Sequence, residues 1–209
     1  LLVIPLVFSL HSLYHWTHTD AMATDKILQG KSPYLNETFF IIRVFAFILI
    51  WVLFYLGFTR NSRKQDKTGD ERLTKKNIKL AAAFIPLFAL TITFSSIDWM
   101  MSLEPHWFST IYGVYFFAGS VVTALSMVTI TGVLLKEKSM LHPKIGEEHF
   151  YNLGSLLFAF VNFWGYIAFS QYILIWYANL PEETFWFIDR WSGNWIFGSL
   201  LLIVVNFVV

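Results

Sequence analysis

The sequence contains no cysteine. Disulfides are thereby excluded, and so are cysteine-ligated iron–sulfur clusters, cysteine-ligated zinc and covalent c-type haem. Any such redox centre must sit on another subunit. Charge is scarce as well: 14% of residues are Asp, Glu, Lys or Arg, and the formal net charge of +1 gives no footprint for nucleic acid. The short alternating segments of a transmembrane β-barrel are missing, because the apolar runs are continuous.

What is present is apolar and aromatic. Hydrophobic residues make up 56% of the chain and aromatics 19%. Several runs reach the ~20 residues needed to cross a bilayer as a helix. The expected fold is all-α, a polytopic transmembrane helical bundle forming one integral membrane domain over residues 1–209. Spans are expected at 1–18, 38–58, 80–102, 111–135 and 152–178, with a sixth starting near Trp195. Pro86 is expected to bend the third. Apolar runs at Leu1 and Val209 suggest an interior piece of a longer subunit, truncated within a helix at both ends. No charged n-region of a signal peptide can be read.

The basic residues set an expected orientation. A polar loop is expected at 59–79, with Gly69-Asp70 as its turn signal, and it holds Arg60, Arg63, Lys64, Lys67, Arg72, Lys75, Lys76 and Lys79; a second polar loop at 136–151 adds Lys136, Lys138 and Lys144. The loops on the other side hold Lys26, Lys31 and Arg190, so the ratio is eleven to three. By the positive-inside rule the two basic segments face the cytoplasm. The turn at 103–110 and the loops at 19–37 and 179–194 then face outward. Trp and Tyr around them suit an interfacial belt. The basic segments need do no more than set topology.

The densest chemistry lies at 95–110, SSIDWMMSLEPHWFST. Asp98, Glu104 and His106 sit there between two apolar runs. A carboxylate at mid-bilayer costs roughly 2.5–3.5 kcal/mol, so it needs a partner or a job. Thr91, Ser95, Asp98 and Ser102 are spaced to share one helix face. Hydroxyls leading to a carboxylate could relay protons. The competing reading is that they bond carbonyls of their own helix. Arg43 lies within the second span and wants a carboxylate, with Asp98 and Glu37 as candidates. A structural ion pair is the plainer reading of it.

Two further groups carry polar side chains. His11, Tyr14, His15 and His18 have the spacing of one helical face. Two histidines four apart can share a metal, but no third ligand is evident, and one helix cannot supply both axial ligands of a haem. The group reads either as a proton-exchanging or quinol-contacting cluster near the outer surface, or as a hydrogen-bonded structural face. In the fifth span Ser155, Asn162, Tyr166 and Ser170 share a face with Gln171 beside it. Such groups are usually packing glue between helices. An amide could also hydrogen-bond a ligand carbonyl.

The segments DWMMSLEPHWFSTIYGVYFFAG (98–119), FSQYILIWYANLPEET (169–184), HSLYHWTH (11–18), KSPYLN (31–36) and RKQDKTGDERLT (63–74) together resemble the ActF subunit family of bacterial alternative complex III. The motifs are long and spread over most of the chain. The resemblance implies an NrfD-like membrane subunit in the bacterial inner membrane, within a quinol:cytochrome c or electron-acceptor oxidoreductase. It implies partners: an NrfD-like sister subunit, an iron–sulfur subunit, multihaem and monohaem cytochromes c, and a terminal oxidase. Haem c and iron–sulfur clusters would sit on those partners. This chain would bind no metal and no redox cofactor, with quinol or quinone as its candidate ligand. Asp98, Glu104, His106, His11, His15, Ser95, Arg43 and Gln171 are the candidates for proton transfer or quinone contact. The alternatives are a structural scaffold subunit, a cofactor-free oxidase subunit, or a transporter. A transporter should show inverted repeats with paired broken helices, and only Pro86 suggests a break.

Overall fold

The computed structural model describes residues 3–208. Leu1, Leu2 and Val209 lie outside the described residues, and with them the expectation for the two chain ends. Among the described residues every regular element is helical. Among these residues four helical segments are long and apolar enough to cross a membrane: Glu37–Thr68, Arg72–Leu103, Tyr112–Glu137 and Glu147–Ala178. The chain divides into two compact units, residues 1–106 and 107–209.

The first unit begins with α1 (Val3–Phe8), α2 (Leu10–Leu13) and a 3-10 turn, His15–Thr17. The helix expected over 1–18 is therefore broken. Tyr14 leaves the helical conformation, at φ −111° and ψ 113°. That turn lets its ring go inside, 1% exposed, against Trp16 and Phe40. Two short helices follow, α3 (Thr19–Thr24) and α4 (Lys26–Lys31). Asp25 caps α4, its Oδ1 accepting from the Ile27 and Leu28 N–H groups. Leu10, Tyr14, Trp16, Leu28, Leu35, Phe40 and Val44 form the core of this end.

The long helices α5 (Glu37–Thr68) and α6 (Arg72–Trp99) form an antiparallel hairpin. The Asn36 side chain caps α5 by accepting from Phe39 N–H. The segment 59–79 is expected as a polar loop, but it is helical except for a tight turn. Its Lys, Arg and Gln residues are good helix formers, so both helices continue past their apolar stretches. Gly69 ends α5 in the left-handed region, at φ 65°, which only glycine adopts without strain. α6 runs on through Pro86, whose missing N–H removes one rung of the ladder.

The second unit is another hairpin, α7 (Tyr112–Glu137) and α8 (Glu147–Ala178). Asn179 caps α8 in the left-handed region. The loop expected at 179–194 instead contains α9 (Pro181–Arg190). Proline at its first position and Glu182 and Glu183 in its first turn favour a helix start. The apolar α10 (Trp195–Val208) follows. A Cβ built on Gly165 of α8 would come within 2.4 Å of the Phe207 ring, so the two helices approach closely there.

Candidate functional site

The polar centre of the first unit is an ion pair. Arg43 of α5 donates from Nε to Asp98 Oδ2 at 2.6 Å and from Nη2 to Asp98 Oδ1 at 3.0 Å. This is the two-pronged geometry that suits a guanidinium and a carboxylate. Asp98 is fully buried and Arg43 is 8% exposed. Arg43 Nη1 also donates to the Tyr34 carbonyl at 3.1 Å. The guanidinium lies 4.0 Å from the Tyr34 ring centroid and 4.3 Å from that of Phe39. A cation so placed gains from the ring faces what it has lost in hydration.

Of the two carboxylates open to Arg43, it meets Asp98. Glu37 contacts His11 instead, at 3.2 Å on the surface. The Tyr34 hydroxyl faces Asp98 closely enough to feel its charge, yet makes no hydrogen bond of normal geometry. Burial, followed by the Asp98 charge, raises the pKa of that hydroxyl above its ordinary value. Tyr14 donates to the Trp99 carbonyl at 3.0 Å, tying the broken first segment to the end of α6.

The hydroxyl stripe is buried beside the pair. Thr91 donates to Leu87 O at 2.8 Å, Ser95 to Ile92 O at 3.0 Å, and Ser102 to Asp98 O. Each proton therefore points at a carbonyl of its own helical run, which ends a hydrogen-bond chain rather than extending it. Thr91 also accepts from Trp51 Nε1 at 2.9 Å, a cross-link between α5 and α6.

A second polar contact closes the turn after α6. His106 Nε2 contacts Asp25 Oδ2 at hydrogen-bonding distance, and Lys31 Nζ donates to the Pro105 carbonyl at 2.5 Å. The hydrogen bond to His106, aided by the Ile27 N–H, holds the Asp25 pKa below its usual range. Burial lowers that of Lys31, against the pull of Asp25. Glu104 stands exposed and makes no ion pair among the described residues.

The expected histidine face is not a helical face, because the helix stops at Leu13. Tyr14 points inward while His11, His15 and His18 are exposed. The histidines remain neighbours, with His18 ring centroids 5.9 Å from His11 and 6.1 Å from His15. Among the described residues no group of three or more His, Asp or Glu is placed to hold a metal ion. In the second unit Gln171 is 4% exposed and its amide nitrogen has no hydrogen-bond partner. The face beside it is open: Tyr166 is exposed, and Asn162 donates to Phe158 O of its own helix.

Reading the sequence alone missed Asp25, Lys31 and Tyr34. Asp25 had a local signal, an acidic residue in the N-cap position directly before the short helix Lys26–Lys31. Tyr34 had none, since its role follows from where Arg43 folds back. No protein-family model matches this sequence, and no curated protein matches it.

Proposed function

We propose that the chain is an integral membrane subunit of a bacterial quinol:cytochrome c or electron-acceptor oxidoreductase of the alternative complex III type. It is akin to the ActF subunit, with an NrfD-like fold and about six spans over this stretch. The observation that carries the reading is convergence. HSLYHWTH, KSPYLN and the segment beginning at Asp98 are far apart in sequence and bear much of the resemblance. They meet around one ion pair, through Tyr14 to Trp99, Arg43 to Tyr34 and Arg43 to Asp98. Chance likeness in three separate segments gives no reason for them to pack together.

In this reading the basic helix ends face the cytoplasm of the inner membrane. The sister membrane subunit, the iron–sulfur subunit, the cytochromes c and a terminal oxidase are the partners, and they hold the haem and the clusters. Quinol oxidation releases two electrons and two protons, so it needs a base near the outer surface. Asp25–His106 and His11–Glu37 are the pairs with access to water. The test is purification of a tagged full-length protein from its own membrane. Haem c absorbance and iron–sulfur signals should follow the tag at constant ratio. A tagged protein that elutes without either overturns the reading.

The scaffold reading has one observation in its favour. Asp98 is dry and held at both oxygens, which suits an anchor better than a proton carrier. An assembled Asp98→Asn complex with unchanged quinol turnover and proton release would support it.

A further inference from the structure

The α5–α6 hairpin carries charge on a face that its packing does not use. Towards α6, the charged end of α5 presents Asn61 and Gln65, which bond Asn77 and Thr74. Another face holds Arg60, Arg63, Lys64 and Lys67, all exposed. Their spacing places the four on one stripe of the helix. With Leu56 and Thr59 they line a groove of about 420 Å³. Among the described residues no acidic side chain lines that groove, and none of the four cations enters an ion pair. Arg60–Lys64 and Arg63–Lys67 are like-charged pairs four residues apart, which weaken a helix. An anion seated between them removes that cost.

The same stripe continues along α5 as apolar surface. Phe45, Leu49, Leu53 and Leu56 lie on it, and each is more than half exposed. The lengths match one leaflet of a bilayer. Phe45 to Leu56 covers about 16 Å of helix, and half of the hydrocarbon core is ~15 Å. Arg60 to Lys67 covers about 10 Å, enough to cross a headgroup layer of ~5–8 Å. Setting topology needs positive charge on one side of the membrane, but not on one face of one helix.

We propose that this face of α5 binds an anionic phospholipid. The phosphate pairs with Arg60, Arg63, Lys64 and Lys67, and an acyl chain lies along Leu56, Leu53, Leu49 and Phe45. A basic cluster directly beyond a membrane span is suited to such headgroups. A soluble anion uses the cations and leaves the apolar stripe bare, and an uncharged lipid does the reverse. The inference does not depend on membership of a respiratory complex.

The test uses the full-length protein purified with whatever subunits accompany it, in nanodiscs. One probe is phosphatidylglycerol with a diazirine in its acyl chain, and the other is phosphatidylcholine with the same chain. After irradiation, phosphatidylglycerol should label residues 45–67 at least about fivefold more than phosphatidylcholine, as one engaged cation gives. Replacing Arg60, Arg63, Lys64 and Lys67 by Gln should bring that ratio to about one. Gln is a good helix former, and seven of the eleven basic residues on that side remain against three, so the bias that sets orientation keeps its sign. Replacing Arg72, Lys75, Lys76 and Lys79 by Gln removes the same charge from α6 and should leave most of the preference. In the wild type, raising NaCl to about 0.5 M should lower the ratio by screening, a readout that needs no variant. Equal labelling by the two probes in the wild type overturns the proposal. So does equal loss from the two sets of substitutions, which would mean a diffuse field and no groove. So does failure of both probes to reach residues 45–67, which would mean that another subunit covers this face.

Discussion

The α5–α6 and α7–α8 hairpins use helices of similar length and apolar character, but they bury different things. α5 and α6 bury five and six residues, and those include Arg43, Asn61, Thr91, Ser95, Ser96 and Asp98. α7 and α8 bury three each, and Gln171 is the one polar side chain among them beside Tyr112. The first hairpin is specified by polar contacts that only one register satisfies, namely Arg43–Asp98, Trp51–Thr91 and Asn61–Asn77. The second is held by close packing and leaves long apolar faces open to lipid or to further protein. In hydrocarbon there is little hydrophobic drive between helices, so polar contacts and small-residue packing are the two means of specifying a pair. This molecule uses one in each unit.

The largest expected effect comes from breaking the ion pair. Arg43→Met leaves Asp98 buried without its counter-charge, and Asp98→Leu strands Arg43. Each should cost about 3–5 kcal/mol in SDS-induced unfolding from mixed micelles. The double variant should cost less than either single one, because no lone charge remains. A cost under about 1 kcal/mol for Arg43→Met would erase the proposed difference between the hairpins.

Packing is the lever in the second hairpin. Ala118 of α7 is fully buried, and Ala118→Leu should cost about 1–3 kcal/mol by forcing neighbours off their rotamers. Asn162→Ala should change little, because its amide bonds its own helix and faces outward. Greater sensitivity to Asn162→Ala than to Ala118→Leu would mean that α7–α8 also relies on polar contacts.

A smaller effect sharpens the reading of α5–α6. Trp51→Phe keeps a ring beside Phe88 and Trp99 but loses the bond from Nε1 to Thr91. It should cost about 0.5–1.5 kcal/mol in the same assay. No loss would show that this cross-link is incidental to the register.

The long helices were legible because hydropathy and length decide them, and Gly69 marked a turn that is really there. The extent of α5 and α6 was not, because charged residues end an apolar pattern without ending a helix. At the site, the need of Arg43 for a carboxylate was legible from its depth, and the short list of partners contained Asp98. The histidine face was misread because periodicity assumes a continuous helix. Tyr14 breaks it to bury its ring against residues of α5, and no local signal reports a contact made so far along the chain. The unpartnered amide of Gln171 could not be read either, since polar residues on one face do not say which of them turns inward.

The smallest effect concerns the surface contact between Asp25 and His106, which separates local from global stability in the first unit. The titratable side chains beside Asp25 are His106 and Lys31. The hydrogen bond to His106 depresses the folded-state pKa of Asp25. A depressed carboxylate contributes stability above its unfolded value, near ~3.9, and loses it as pH falls through the folded value. Protection factors of the amides in residues 19–36, taken relative to the intrinsic exchange rate at each pH, should therefore be high at neutral pH and fall below about pH 4. The α5–α6 core should not follow, since its protection comes from the buried pair and the packed ladder. Asp25→Asn retains a side-chain oxygen that can cap α4 but removes the carboxylate. It should lower the protection factors in 19–36 at neutral pH, with little further change on acidification. If instead α5, α6 and residues 19–36 lose protection together in the wild type, the turn and the hairpin unfold as one body. The Asp25–His106 contact would then be part of the same cooperative unit as Arg43–Asp98.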